Sequence, residues 1–298
     1  MKFNEIIGNE EAKKYLENSV KQDNILHSYL FSGTEGIGKL LIAKEFAKKI
    51  LCLQKNQNCN CKSCISFDGN NHPDFQVINE SSDENIKIET IRLLTEKAYE
   101  KPILSNKKVY IINNCDKMTT EAQNCLLKTL EEPPEFVVII LITAKENALL
   151  TTIKSRCMTV KFHNIPENEL LEYCKNVLQY ENISKNLLKA FDGSIGKATK
   201  LKDSKEKYEE IDSFIDYLNN CSIIDLMQKK ALFDKDNIFD ILDYMIVCFY
   251  SRTTENAKYL NCIKYTNECE NRLKAYSNFD MTIDNLLYKL WEEFKWKQ

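Results

Sequence analysis

The run Ser28-Tyr29-Leu30-Phe31-Ser32, leading into Gly33-Thr34-Glu35-Gly36-Ile37-Gly38-Lys39-Leu40, constrains the fold of this chain more than any other feature. A short apolar stretch enters a glycine-rich turn. Leu41, Ile42, Phe46, Ile50 and Leu53 then recur at helical spacing across Lys39 to Leu53. Strand, glycine loop and helix in that order make a phosphate loop. Glycines let backbone N–H groups turn inward, the helix N-terminus adds positive potential, and Lys39 can reach terminal phosphates. Further apolar runs follow at Phe75 to Ile78, Val109 to Ile112, Val137 to Ile142 and Thr159 to Phe162, with helical patterns such as Ile88 to Tyr99 and Thr120 to Glu131 between them. Short strands alternating with helices predict a covered parallel sheet.

After Pro166 the pattern changes. Glu169 to Gln179, Lys185 to Phe191 and Ile195 to Lys202 read as short helices with no strand among them. Apolar stripes through Ile211 to Leu218, Ile238 to Tyr250 and Ile283 to Trp296 continue the helical period to the end. The expected division is an α/β domain at 1–162, a small helical domain at 163–203 and an all-α domain at 204–298. A length of 298 residues suits several domains, and 7 Gly with 5 Pro leave little room for long flexible linkers.

Charge and hydropathy narrow the function classes. A net charge of −3 gives no overall basic field, so any role on nucleic acid is expected to be indirect. The Lys-rich stretches Lys44 to Lys49 and Lys197 to Lys207 read as solvated helix faces, and no basic stripe carries aromatic platforms. The longest strongly apolar run, Phe136 to Ala144, is far short of the roughly 20 residues that cross a bilayer. The opening Met1-Lys2-Phe3-Asn4 does not start a signal peptide, so a cytoplasmic protein without a membrane partner is expected.

The phosphate loop is damaged at its last position. Leu40 stands where a Ser or Thr hydroxyl coordinates magnesium, and a leucine side chain can neither ligate the ion nor bond to its water. The acidic half of the site should follow a buried strand, and Val109-Tyr110-Ile111-Ile112-Asn113-Asn114-Cys115-Asp116 is the segment placed to supply it. Neutral amides at Asn113 and Asn114 neither hold magnesium by charge nor orient an attacking water, and Asp116 lies late. Gly33, Gly36, Gly38 and Lys39 are therefore expected to persist as a strand-to-helix turn able to hold an anion, without productive Mg-ATP binding or intrinsic hydrolysis. The rival reading is a slow ATPase rescued by Lys39 and Asp116.

Four of the 12 cysteines, Cys52, Cys59, Cys61 and Cys64, crowd into a short segment after the loop helix. Four thiolates so close can close a tetrahedral zinc site of structural type, with no position left for water or substrate. The alternatives are a loop of free thiols, or His72 standing in for one ligand.

His27-Ser28-Tyr29-Leu30-Phe31-Ser32-Gly33, His72-Pro73-Asp74-Phe75, Asn124-Cys125-Leu126-Leu127-Lys128-Thr129-Leu130-Glu131-Glu132-Pro133-Pro134 and Ser155-Arg156-Cys157 together resemble the clamp-loader family of bacterial DNA polymerase III. The resemblance implies a P-loop AAA+ (RecA-like) domain, a helical lid and a C-terminal helical collar. It also implies a heteropentameric ring with gamma/tau and delta subunits that acts on the sliding clamp and primer-template DNA. Its Ser-Arg-Cys motif assigns Arg156 to a neighbour's ATP site as an arginine finger in trans, and a guanidinium suits that role through its permanent charge and planar fork. Gly193-Ser194-Ile195-Gly196-Lys197-Ala198 resembles the family's sensor-2 segment, with Lys197 at the basic position; it also suits an ordinary helix start. The family implies zinc at the cysteines, although its usual spacing of the last three is Cys-x2-Cys-x2-Cys and one residue is missing here between Cys59 and Cys61. The lost magnesium ligands resemble the non-hydrolysing delta-prime type, a component of the polymerase holoenzyme without ATPase activity of its own. The alternatives are the hydrolysing gamma/tau type and a zinc-stabilised DNA-binding module.

Overall fold

The computed structural model describes residues 3–54, 59–79, 85–180, 183–202, 205–218 and 221–295. Five parallel strands form one sheet: β1 Ser28–Ser32, β2 Phe75–Ile78, β3 Lys108–Ile112, β4 Val137–Thr143 and β5 Met158–Lys161, in the order β2-β3-β4-β1-β5. β4 is buried along its whole length, as expected of a central strand covered on both faces. Its side chains alternate between two cores. Val138, Ile140 and Ile142 join Tyr29, Phe31, Val109 and Ile111 against helices α1 (Glu10–Lys21) and α2 (Lys39–Leu51). Ile139 and Leu141 join Leu30, Tyr110 and Ile112 on the other face, against α4 (Ile88–Ala98) and α5 (Thr120–Glu131). Burying each such Val, Leu or Ile side chain contributes about 1.5–3 kcal/mol before entropy is counted. This is the expected α/β architecture, a parallel sheet covered by helices on both faces.

Between α2 and β2 lies the short helix α3 (Lys62–Asp68), and α6 (Thr151–Lys154) precedes β5. α2 stops at Leu51 rather than Leu53, because Cys52 turns to extended backbone with φ −66° and ψ 123°. The Leu51 carbonyl instead accepts the Ser63 and Ser105 hydroxyls at 2.7 and 2.8 Å. β5 is followed by one more ladder bond, Phe162 N–H to the Ser32 carbonyl at 2.8 Å.

Backbone contacts divide the chain into two units, Met1–Glu169 with Ser194–Gly196, and Leu170–Gly193 with Lys197–Gln298. The second is helical: α7 (Glu167–Asn176) and α9 (Ile195–Leu201) cross between units in sequence, and α8 (Lys185–Ala190), α10 (Lys205–Tyr217), α11 (Ile223–Gln228), α12 (Ile238–Arg252), α13 (Lys258–Lys274) and α14 (Phe279–Lys295) lie within it. α11 opens on a capping box between Ser222 and Asp225. Rings of Tyr208 and Tyr244 meet edge to face at 4.9 Å, and Tyr259 packs on Phe249 and Phe294 at 5.9 and 5.4 Å. The buried Glu293 accepts bonds from Asn261 Nδ2 at 2.8 Å and Tyr265 OH at 3.1 Å. Among the described residues no helix is long and apolar enough to cross a membrane.

Candidate nucleotide and metal sites

The glycine loop joins β1 to α2 as expected, with Gly38 at the helix N-cap and φ +90°. Its lysine is turned inward: Lys39 Nζ donates to the Gly33 and Thr34 carbonyls, each at 2.5 Å. Burial lowers the Lys39 amine to about 8, against the opposing pull of Glu35 and Asp116. Gly36, at φ +75°, donates space as well as conformation, since a Cβ there would fall 2.2 Å from Ser194 Oγ and 3.1 Å from the Gly196 Cα. The Gly196 N–H closes this approach with a 2.8 Å bond to the Gly36 carbonyl. Leu40 packs its side chain against the sheet core.

The opposite side carries amides and two carboxylates, Asp116 and Glu146. Asn113 Nδ2 donates to the Asn79 carbonyl at 3.2 Å, tying it to the end of β2. Asn114 takes a left-handed turn, φ 49°. One oxygen of Asp116 accepts Thr143 Oγ1 at 2.7 Å, and Ser32 Oγ donates to Glu146 at 2.9 Å. Ser32 and Thr143 stand opposite each other in the β1–β4 pair. Thr143 was not singled out in the sequence; a lone hydroxyl closing the apolar run Val137 to Ile142 is the signal that could have marked it.

Arg156 lies between α6 and the edge strand β5, but its side chain does not extend away from the domain. Nη2 pairs with Glu131 at 2.8 Å and Nη1 bonds to the Thr152 carbonyl at 2.9 Å. Glu131 ends α5 and offers the guanidinium a carboxylate of its own domain. Lys197 lies on α9, where its charge acts on the Asp243 carboxyl of α12; burial raises that carboxyl and Lys197 opposes the shift.

The four cysteine sulfurs converge despite the shortened spacing. Cys52, Cys59, Cys61 and Cys64 place their Sγ atoms within 4.8 Å of one another, close to the roughly 3.8 Å edge of a tetrahedron with zinc–sulfur bonds of about 2.3 Å. Burial opposes ionisation of Cys61, but backbone N–H groups of Cys64 and Leu53 outweigh it and lower the thiol to about 6. Burial raises Cys64 and Cys59 instead. The donor set fits a soft divalent ion of structural type, with Cys52 and Cys64 buried and the other two half-buried. His72 does not serve as a substitute ligand. Its Nε2 lies 2.9 and 3.2 Å from the Ser63 and Ser105 hydroxyls, and its Nδ1 accepts the Asp74 N–H at 3.1 Å, so both nitrogens are engaged.

The sequence profile described as DNA polymerase III, delta subunit, matches residues 8–166. The DNA polymerase III subunit gamma/tau of Mycoplasma genitalium is 33% identical over 247 residues, covering 81% of this chain and 39% of that protein. The subunit delta' of Bacillus subtilis is 39% identical over 165 residues, 53% of this chain and 50% of that protein. The chain thus spans half or less of the length of these relatives. A solved gamma-subunit-related protein of DNA polymerase III from Thermotoga maritima superposes with TM-score 0.49 and 18% identity, covering 95% of this chain and all of that one. With the profile matched over the whole sheet domain that carries both sites, the chain belongs to the DNA polymerase III delta-subunit family of clamp-loader proteins.

Proposed function

We propose that this chain is an ATPase-inactive, delta-prime-type subunit of a bacterial clamp loader. It would stand in a heteropentameric ring with gamma/tau and delta subunits, help load the sliding clamp onto primed DNA, and supply Arg156 to a neighbour's ATP site. The observation that carries the inactive reading is the state of the loop. Leu40 packs its partly buried side chain against the core, Asn113 and Asn114 replace the carboxylates, and Lys39 is satisfied by the carbonyls of Gly33 and Thr34. Hydrolysis needs a magnesium ligand set and a group that orients water, and these residue types supply neither. Bound at the four thiols, zinc would cross-link the segment after α2 and take no part in chemistry.

The gamma/tau type remains the second reading because the relative from Mycoplasma genitalium bears that name and aligns over 81% of the chain. Phosphate release by the isolated protein separates the two. The delta-prime reading expects no turnover above a no-enzyme blank with Mg-ATP. Turnover at the rate of an active AAA+ ATPase, lost on Lys39→Ala, would establish the gamma/tau reading instead.

A further inference from the structure

The His72-Pro73-Asp74 motif has no part in the reading of either site, yet its polar atoms meet at one buried node. Ser63 Oγ and Ser105 Oγ lie 3.1 Å apart, and each donates to the Leu51 carbonyl. With both hydroxyl protons so used, the oxygens can only accept from His72 Nε2, at 2.9 and 3.2 Å. The other ring nitrogen accepts the Asp74 N–H, so it carries no proton. These bonds are satisfied together by one form of the ring, neutral with its proton on Nε2; the other tautomer would set two N–H groups against each other at Nδ1. Asp74 locks the far side, its carboxylate accepting the N–H groups of Ile103, Leu104 and Ser105 at 2.7, 2.7 and 2.8 Å. His72, Asp74, Ser63 and Ser105 are all buried.

The node's position gives it a use. Leu51 immediately precedes Cys52, and Ser63 immediately precedes Cys64, so the two buried thiols of the cluster are next to backbone that His72 and Ser105 hold. Phe67, on the same helix as Cys64, packs on the rings of His72 and Phe75 at 6.4 and 4.5 Å. We propose that His72, in its Nε2–H form, is a positioning residue for the four-thiol metal site: through Ser63 and Ser105 it fixes the chain at Cys52 and Cys64 against strand β2 and the loop before β3. The proposal rests on the reading of the thiols as a zinc site. Outer-shell partners that orient metal ligands typically alter metal affinity by about 10–100-fold when removed.

The test uses the full chain loaded with zinc, with zinc content measured first and its release to a chromogenic chelator followed at fixed pH. Ser105→Ala, remote in sequence from the four cluster thiols, and His72→Phe should each speed release by about tenfold or more. His72→Gln keeps a side-chain N–H for the serines and should stay within about threefold of wild type. Wild-type protein holding no zinc would overturn the metal reading and the proposal together. Bound zinc released at the wild-type rate from both Ser105→Ala and His72→Phe would overturn the proposal alone. Ring nitrogen chemical shifts of the wild-type protein need no variant. They should show Nε2 protonated and Nδ1 bare, and a proton on Nδ1 would also overturn it.

Discussion

Arg156 and His72 show how much a single side chain's role depends on what it touches. The Arg156–Glu131 pair is partly exposed, so it is worth about 0–1 kcal/mol and can open when a stronger anion is offered. Arg156→Ala is therefore expected to leave the melting temperature of the isolated chain within a degree or two of wild type. A reconstituted loader carrying it should lose clamp- and DNA-stimulated ATPase at one interface, where a fully engaged arginine finger is worth ~10³ or more. Arg156→Lys should rescue poorly, because it keeps the charge and loses the fork. A variant that drops out of the complex would make Arg156 structural. His72 carries a pH prediction. Burial lowers its pKa from the ordinary value near 6.5, with Asp74 pulling the other way. The unfolded chain then binds the proton more readily than the folded one, so His72's contribution is complete above about pH 6.5 and fades as pH falls toward the lowered folded value. Unfolding midpoints should drop less between pH 7 and 5 in His72→Gln than in wild type; parallel curves would contradict this.

At the scale of elements, the sheet is held by strands buried on both faces and the glycine loop by a close backbone approach. Ile140 sits in the middle of β4 with no exposure, and Ile140→Ala should cost about 2–5 kcal/mol, read as a lower denaturation midpoint at unchanged slope. Gly196→Ala tests the loop. Its Cβ would meet the Gly36 Cα at 2.8 Å, and because that atom is backbone rather than the end of a flexible side chain, something must move. An overpacking cost of about 1–3 kcal/mol is expected, with faster amide exchange at residues 34–38. Exchange there at the wild-type rate would mean the two glycines part at little cost. The thiol segment should respond to metal removal in the same language: chelation is expected to speed exchange through α3 while β3 and β4 stay protected.

For the whole molecule, the proposed assembly is tested by co-purification with gamma/tau and delta subunits. Failure to assemble would remove the delta-prime reading even if the chain proved inactive as an ATPase. The main lines of the fold could be read along the chain. Short apolar runs marked all five strands, and the 3.6-residue period marked the helix Thr120 to Glu131, to within a residue or two, because both record burial that neighbours in sequence share. The residue types behind the inactive reading were equally plain, since Leu40, Asn113 and Asn114 carry no hydroxyl or carboxylate wherever they are placed. α13 falls in the stretch read as helical but carried no stripe of its own, because its buried side chains, Tyr259, Cys262, Thr266 and Cys269, make only a thin apolar line. The missing residue between Cys59 and Cys61 left the thiols' geometry open until the folded loop brought the sulfurs together. The capture of Lys39 by its own loop's carbonyls, the pairing of Arg156 with Glu131 and the meeting of His72 with Ser63 and Ser105 left no periodic mark. Pattern and residue type belong to the chain itself, and so the sequence alone determined the sheet and the side chains that the phosphate loop and the end of β3 offer. Partners 25 residues apart, as for Glu131 and Arg156, or 42 apart, as for Ser63 and Ser105, meet only after strands pair and helices pack, and only the tertiary structure could decide them.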